Sequence, residues 1–311
     1  MDDITLNQNP KLGSVDRPNS YIGRSLTRDG AKKHLEGKGQ FVDDLILPRM
    51  VNLAFLRSPY AHAEIKSINI NEAKKYPGVI NIYIAEDMDK VCKPWVGVLG
   101  HLGEMRSPEQ SPLVKKIARW QGEPVAIVVA NTRAQAEDAL EAIDIDWLEK
   151  EPQIDMETAL EKDAVVIHKE LGNNLFWTRT VEQGDVQKGF NASSTVVETT
   201  LDFARHTGVT LEPRGIVADW NKSEEKMTIY HNGQAPHMMQ HIIAKHFNIS
   251  EGLVRVVSKD VGGSFGIKVH VYGDEMAAIA VSKLLGRPVK FVADRLESFT
   301  TDIHARCHKI S

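Results

Sequence analysis

The chain has 311 residues, 42% of them hydrophobic and 26% charged, which suits two folded domains of ordinary size and excludes a disordered chain. Its 38 basic and 42 acidic residues leave a formal charge of −4, so no global field draws it to nucleic acid or to an anionic membrane. Two cysteines, Cys92 and Cys307, exclude a disulfide framework and a four-cysteine zinc site.

The first 19 residues are polar, without the basic start and apolar core of a secretory signal, and read as a mobile N-terminal arm on a cytoplasmic protein. Two apolar bursts, Leu45-Ile46-Leu47 and Leu53-Ala54-Phe55-Leu56, predict short strands around a turn at Pro48. Residues 65–70 and 79–85 read as strands, joined by a short helix over 71–76 that Pro77-Gly78 stops. The Gly- and Pro-rich stretch 92–112 reads as a long loop. Residues 124–130 form the most apolar strand, and Asn131-Thr132 caps a helix over 133–143 with Ala136, Ala139, Leu140 and Ile143 on one face. A strand over 143–147 completes this half. Its unbroken apolar runs, like residues 276–281 further on, fall far short of the roughly 20 residues of a membrane span.

Residues 155–174 read as an acidic, helical connector. Strands follow over 194–204, 215–220 and 226–231, then a helix over 236–247 with Met238, Ile242 and Phe247 inward. A strand over 253–257, a glycine-rich turn Gly262-Gly263-Ser264-Phe265-Gly266, a helix over 272–285 and a strand over 289–293 form the most patterned stretch. Residues 300–310 look like the opening of another strand, which needs a sheet neighbour and so suggests a continuation or a partner chain.

The glycine turn admits several readings. As Gly262-x-Ser264-x-Gly266 it matches a nucleophile elbow, but too little chain follows for the later acid and histidine. As a dinucleotide fingerprint it fails at Ser264, and Lys268 is misplaced for a phosphate-binding loop. What remains is backbone that can approach a ligand, with amides at a helix start favouring anionic groups, or else a tight turn with no ligand. His237 and His241 lie four apart on a helix without a third metal ligand, and read as a solvated flank; His62 and His206 read as structural histidines. Gln234, between a strand and a helix, is a loop amide able to donate or accept. Arg295 and Glu297 read as a local ion pair.

Taken in order, these segments resemble the molybdopterin-binding large subunit of the xanthine dehydrogenase/aldehyde oxidase family. The carrying residues are Ile22-Gly23-Arg24, Gly37-Lys38-Gly39, Asp43-Asp44, the segment 57–62, Pro77-Gly78-Val79 and the strand at 122–130. Leu211-Glu212-Pro213-Arg214-Gly215, Gly233-Gln234-Ala235-Pro236, residues 261–268, 286–290 and 294–297 continue the likeness. Detail around 265–269 and 299–306 is most like the aerobic carbon monoxide dehydrogenase branch.

The resemblance implies an α+β architecture. A hammerhead-like α/β domain would span 20–152, a connector 153–174, and the first part of a molybdopterin-binding domain 175–311. It implies oxidation of carbon monoxide, an aldehyde or an N-heterocycle with water as oxygen source. The molybdenum would be held by molybdopterin, as its cytosine dinucleotide, with iron–sulfur and FAD groups on partner chains. Gln234 would hydrogen-bond an oxo ligand of molybdenum, and Gly263, Ser264, Phe265 and Gly266 would line the cofactor. Ser264 departs from the family's third glycine, and Val269 stands where purine-oxidising members carry a substrate-binding Glu. The family's catalytic Glu would lie beyond Ser311, so no catalytic residue is expected in this chain, and another polypeptide would supply the rest of the site. The competing reading is a non-catalytic scaffold that keeps the fold without the cofactor.

Overall fold

The computed structural model describes Arg28 and residues 30–97 and 104–311. The arm over 1–19 and the motif Ile22-Gly23-Arg24 lie outside the described residues, as does part of the expected loop at 92–112. Two units are distinguished, Met1–Gly39 and Gln40–Ser311. Within the first, α1 (Ala31–Leu35) buries none of its side chains.

In the second unit the first half contains β1 (Val51–Arg57), β2 (Ala63–Asn69), β3 (Val79–Tyr83), α2 (Ala85–Met88), β4 (Trp95–Val96), β5 (Glu109–Gln110), β6 (Ile117–Ala118), β7 (Pro124–Ala130), α3 (Arg133–Leu140) and β8 (Asp144–Glu149). The second half contains α4 (Val186–Ala192), β9 (Leu201–Phe203), β10 (Gly215–Asn221), β11 (Lys226–His231), α5 (Pro236–Phe247), β12 (Val254–Val257), α6 (Gly273–Leu285), β13 (Val289–Val292), α7 (Arg295–Thr301) and β14 (His308–Ile310).

One mixed sheet of seven strands joins the halves in the order β12-β11-β10-β13-β1-β7-β3. Its seam is the parallel pairing of β1 with β13, with Val51 opposite Val289. A continuous apolar strand needs cover on both faces, and β7 shows how the sequence provides it. Ile127 and Val129 join Leu53 and Phe55 of β1 in the core beneath α5 and α6, while Ala126, Val128 and Ala130 join Ala54 beneath α3. The two-residue side-chain period of a strand thus divides the run between the two faces, with both alanines on the side of α3. Thr132 caps α3 through the N–H of Gln135. A second, three-stranded sheet, β6-β2-β8, packs Ile65 and Ala118 with Val125. No helix among the described residues is long and apolar enough to cross a membrane.

Several local expectations change. Of the two bursts before residue 57 only the second is a strand; Leu45 instead packs with Val42 and Val217, because Pro48 lacks an N–H and Arg49 turns the chain at φ 62°. The stretch 155–174 forms two 3₁₀ turns rather than a helix, Thr158–Leu160 and Lys169–Leu171. There the Asn174 side chain bonds the Ala159 and Val165 carbonyls and the Ile167 N–H, competing with the helical ladder. On α5 the inward residue is Met239, with Met238 only partly buried. The region 300–310 begins as the end of α7, whose capping box joins Asp294 and Glu297, and its strand β14 pairs with β9 of the same chain. Its neighbour is therefore internal.

Phe291 stacks edge-on against Phe55 with ring centroids 4.7 Å apart, across the β13–β1 seam. Phe291→Ala should lower unfolding free energy by about 3–5 kcal/mol, as for other deeply buried aromatics. A urea titration should show a lower midpoint at unchanged slope.

Candidate functional site

The loop from β11 to α5 and the glycine turn after β12 meet at Lys268. The Gln234 N–H donates to the Lys268 carbonyl at 3.1 Å. Asn232 pins the start of this loop, donating to Pro213 O at 2.8 Å and accepting the Gly215 N–H at 3.0 Å. Ser258 donates to the carbonyls of His231 and Gly233. Gly233 is required here, since a Cβ would run into the His231 ring and come within 3.2 Å of Lys268 O.

Glu212 fastens the glycine turn. Its Oε2 accepts the Gly262 N–H at 2.7 Å and the Lys268 ammonium at 3.0 Å, while its own N–H donates to Gly262 O. The Lys268 side chain is buried; burial lowers its pKa, and Glu212 opposes that shift. The second Glu212 oxygen, Oε1, is buried without a partner. Gly263 and Gly266 take φ of 99° and 90°, and Phe265 holds φ 49° although it is not glycine. That conformation costs about 1–2 kcal/mol for an L-residue, and Phe265 is 78% exposed. The Ser264 hydroxyl donates to Gln234 Oε1 and accepts the Lys268 N–H.

The structure therefore brings all five expected cofactor-binding residues, Gln234, Gly263, Ser264, Phe265 and Gly266, to one locus. It corrects the expectation that helix-start amides lie at the turn, although the helix itself begins within one residue of the expected 272. The turn leads into a 3₁₀ segment, Ile267–Val269, and α6 begins only at Gly273, so helix-end amides do not face it. Ser264 is bonded to an amide, which cannot serve as the base a nucleophile elbow needs. His241 lies 3.5 Å from Glu251, and His62 donates from Nδ1 to the Glu151 carbonyl at 2.7 Å. A cavity of about 880 Å³ opens beside Trp95, Tyr272, Asp302 and Arg306, but none of the five residues lines it.

Sequence reasoning missed what lies behind the turn. Arg214, fully buried, donates to Asp302 at 2.6 Å, to Asp274 at 2.8 and 3.0 Å, to Glu275 at 3.2 Å and to Thr301 at 3.0 Å. Its guanidinium lies 3.7 Å from the centre of the Tyr272 ring. Arg57 shares Asp274 at 3.0 Å and reaches Glu297 at 2.8 Å. The expected Arg295–Glu297 pair is thus replaced: Glu297 pairs with Arg57, and Arg295 donates to Leu211 O. His231 faces Glu275 through Nε2 at 3.0 Å and leaves Nδ1 buried without a partner. The available signal was the position of these charges at the ends of the most apolar segments, Arg57 closing β1 and Asp274-Glu275 opening α6.

The cofactor expected from the sequence can be tested against this face. Gln234 is exposed beside a turn whose Gly266 has open space where a Cβ would stand, and no described residue accepts from Gln234 Nε2. An outward amide donor, bare backbone and an exposed ring suit a flat polar cofactor with acceptor atoms, so the residues fit.

Residues 36–151 match the family model of the aldehyde oxidase and xanthine dehydrogenase a/b hammerhead domain, and residues 167–311 that of the molybdopterin cofactor-binding domain. The chain is 32% identical to the carbon monoxide dehydrogenase large chain of Hydrogenophaga pseudoflava, over 91% of its own length and 36% of that chain. It is 30% identical to the nicotine 6-hydroxylase large subunit of Paenarthrobacter nicotinovorans, over 96% and 36%. The quinoline 2-oxidoreductase structure from Pseudomonas putida 86 superposes with a TM-score of 0.86 at 32% identity, covering 92% of this chain and 36% of that one. The chain thus spans about a third of the length of the relatives it matches.

Removing Arg214 should leave three acidic residues buried without their partner. Arg214→Leu is expected to cost about 3–5 kcal/mol in a denaturant titration, and Arg214→Lys should recover only part, since an ammonium cannot reproduce the fork. Burial would raise the Asp274 pKa, but Arg214 and Arg57 outweigh it and hold the carboxyl below the ordinary range. Its contribution is therefore present above about pH 4 and lost as pH falls towards its folded value. Asp274→Asn should start less stable and show a shallower acid limb in thermal melts from pH 5 to 2.

Proposed function

The chain belongs to the aldehyde oxidase and xanthine dehydrogenase family, and from that premise we propose that it forms one wall of the cofactor site in the large subunit of a molybdenum hydroxylase. The observation that carries the reading is the Gln234 amide held against the glycine turn with its donors outward. When bound, molybdopterin with molybdenum supplies the two-electron redox chemistry that adds an oxygen atom from water to a substrate. This chain's residues bind and orient. Gln234 would donate to an acceptor on the cofactor, and Gly263, Ser264, Phe265 and Gly266 would line it. Lys268 and Glu212 hold that surface rigid from below. No residue of this face is assigned to move a proton, so a catalytic base would come from another stretch of polypeptide.

The relatives named for carbon monoxide, nicotine and quinoline suggest a small substrate, which we take to be carbon monoxide, an aldehyde or an N-heterocycle. Val269 supports excluding purines. We further propose the cytosine dinucleotide form of the cofactor, an iron–sulfur small subunit and a FAD medium subunit as electron-transfer partners, and a chain segment completing the molybdopterin site.

Gln234→Ala in the assembled enzyme should lower turnover about tenfold to a hundredfold, the equivalent of a hydrogen bond of about 1.5–3 kcal/mol to a charged group. The melting temperature should hardly move, since Gln234 is exposed. Unchanged turnover would count heavily against the reading. Native mass spectrometry with metal analysis of protein from its source cells should find a larger assembly with stoichiometric molybdenum; a molybdenum-free species would leave only a scaffold.

A further inference from the structure

The serine inside the glycine turn governs more than the turn. Ser264 Oγ accepts the Lys268 main-chain N–H at 3.3 Å, so its single proton is free to go to Gln234 Oε1. Gln234 is tied to the same segment a second time through its own N–H, which donates to Lys268 O at 3.1 Å. That segment is itself anchored, because the Lys268 ammonium is buried against Glu212, which also holds Gly262. With Oε1 engaged, the acceptor end of the amide faces the turn and its two N–H donors face away, and no described residue accepts from Nε2. A glycine at 264 offers no hydroxyl. The exposed amide could then turn about its last, soft torsion and present an acceptor where a donor had been.

We propose that Ser264 is a positioning residue that fixes the Gln234 amide with its donors outward, preorganising this face for a ligand atom that accepts hydrogen bonds. This rests on the reading of Gln234 as a cofactor-binding residue and adds what sets its orientation. An amide that has to choose its orientation at each binding event meets the right ligand atom only part of the time, and fixing it beforehand removes that cost.

The test follows the Gln234 side-chain amide by ¹⁵N relaxation in the 311-residue chain labelled at glutamine, its resonance assigned by disappearance in Gln234→Glu. In the unsubstituted protein and in Ser264→Thr, which keeps the hydroxyl, the order parameter should stay near ~0.8. In Ser264→Ala and Ser264→Gly it should fall below ~0.6 while main-chain values across 258–268 hold. Equal order in all four proteins would overturn the proposal. Molybdenum retained by the purified enzyme after prolonged dialysis gives the second readout: Ser264→Ala and Ser264→Gly should lose it severalfold faster than Ser264→Thr. A loosened amide with unchanged retention would overturn the link between the serine and the ligand. Failure of the underlying cofactor reading looks different, since Gln234→Ala would then keep both molybdenum and turnover even though Ser264 ordered the amide in the unsubstituted protein.

Discussion

A guanidinium sealed from water has to be neutralised where it sits, and around Arg214 two segments far from it in sequence supply the charges and the ring that do it. Asp274 and Glu275 come from the first turn of α6, Thr301 and Asp302 from the end of α7, and Tyr272 from the segment before α6. Arg57 at the end of β1 shares Asp274 and carries the network on to Glu297. Removing these ions from water costs several kcal/mol each, so the cluster adds little net stability over an apolar core of the same shape. Its effect is on arrangement: Arg214 cannot leave without stranding Asp274, Glu275 and Asp302, so β1, the entry to β10, α6 and α7 are tied together.

The same short stretch passes that rigidity to the candidate site. Glu212 turns to the glycine turn and Lys268, the Pro213 carbonyl takes the Asn232 amide, Arg214 enters the buried cluster, and the Gly215 N–H returns to Asn232. Four consecutive residues thus tie the turn, the Gln234 loop, the ionic core and the sheet together. A loop amide and a strained Phe265 can be held in one conformation at the surface because the chain beneath them is pinned at each of these points.

Much of the architecture was legible in local pattern. The apolar run of β7, the capped helix α3 and the strand–turn–helix–strand order from β12 to β13 follow from periodicity, caps and glycine placement, which act over a few residues. The misreadings share one cause. Leu45-Ile46-Leu47 and residues 300–310 read as strand and the stretch 155–174 as helix, but a proline, a capping box at 294–297 and an asparagine bonding the backbone settled their conformation. Gln234 and the glycine turn were found because glycine and loop amides are conspicuous in sequence. The Arg214 cluster was not, because nothing in the order of residues tells which of 80 charged side chains will be taken out of water.

By itself, then, the sequence determined the elements, the likeness to one enzyme family and the five residues of the candidate face, since each depends on local chemistry or on motifs in a fixed order. Only the tertiary structure decided that β1 would lie parallel to β13 across more than two hundred residues, that β14 would find its neighbour in β9, and that Glu297 would choose Arg57 over Arg295. It also decided that the Ser264 hydroxyl would reach Gln234, thirty residues away. Pairings of this kind depend on which groups are brought within about 3 Å when the chain closes on itself, and that distance is set by the packing of the whole core.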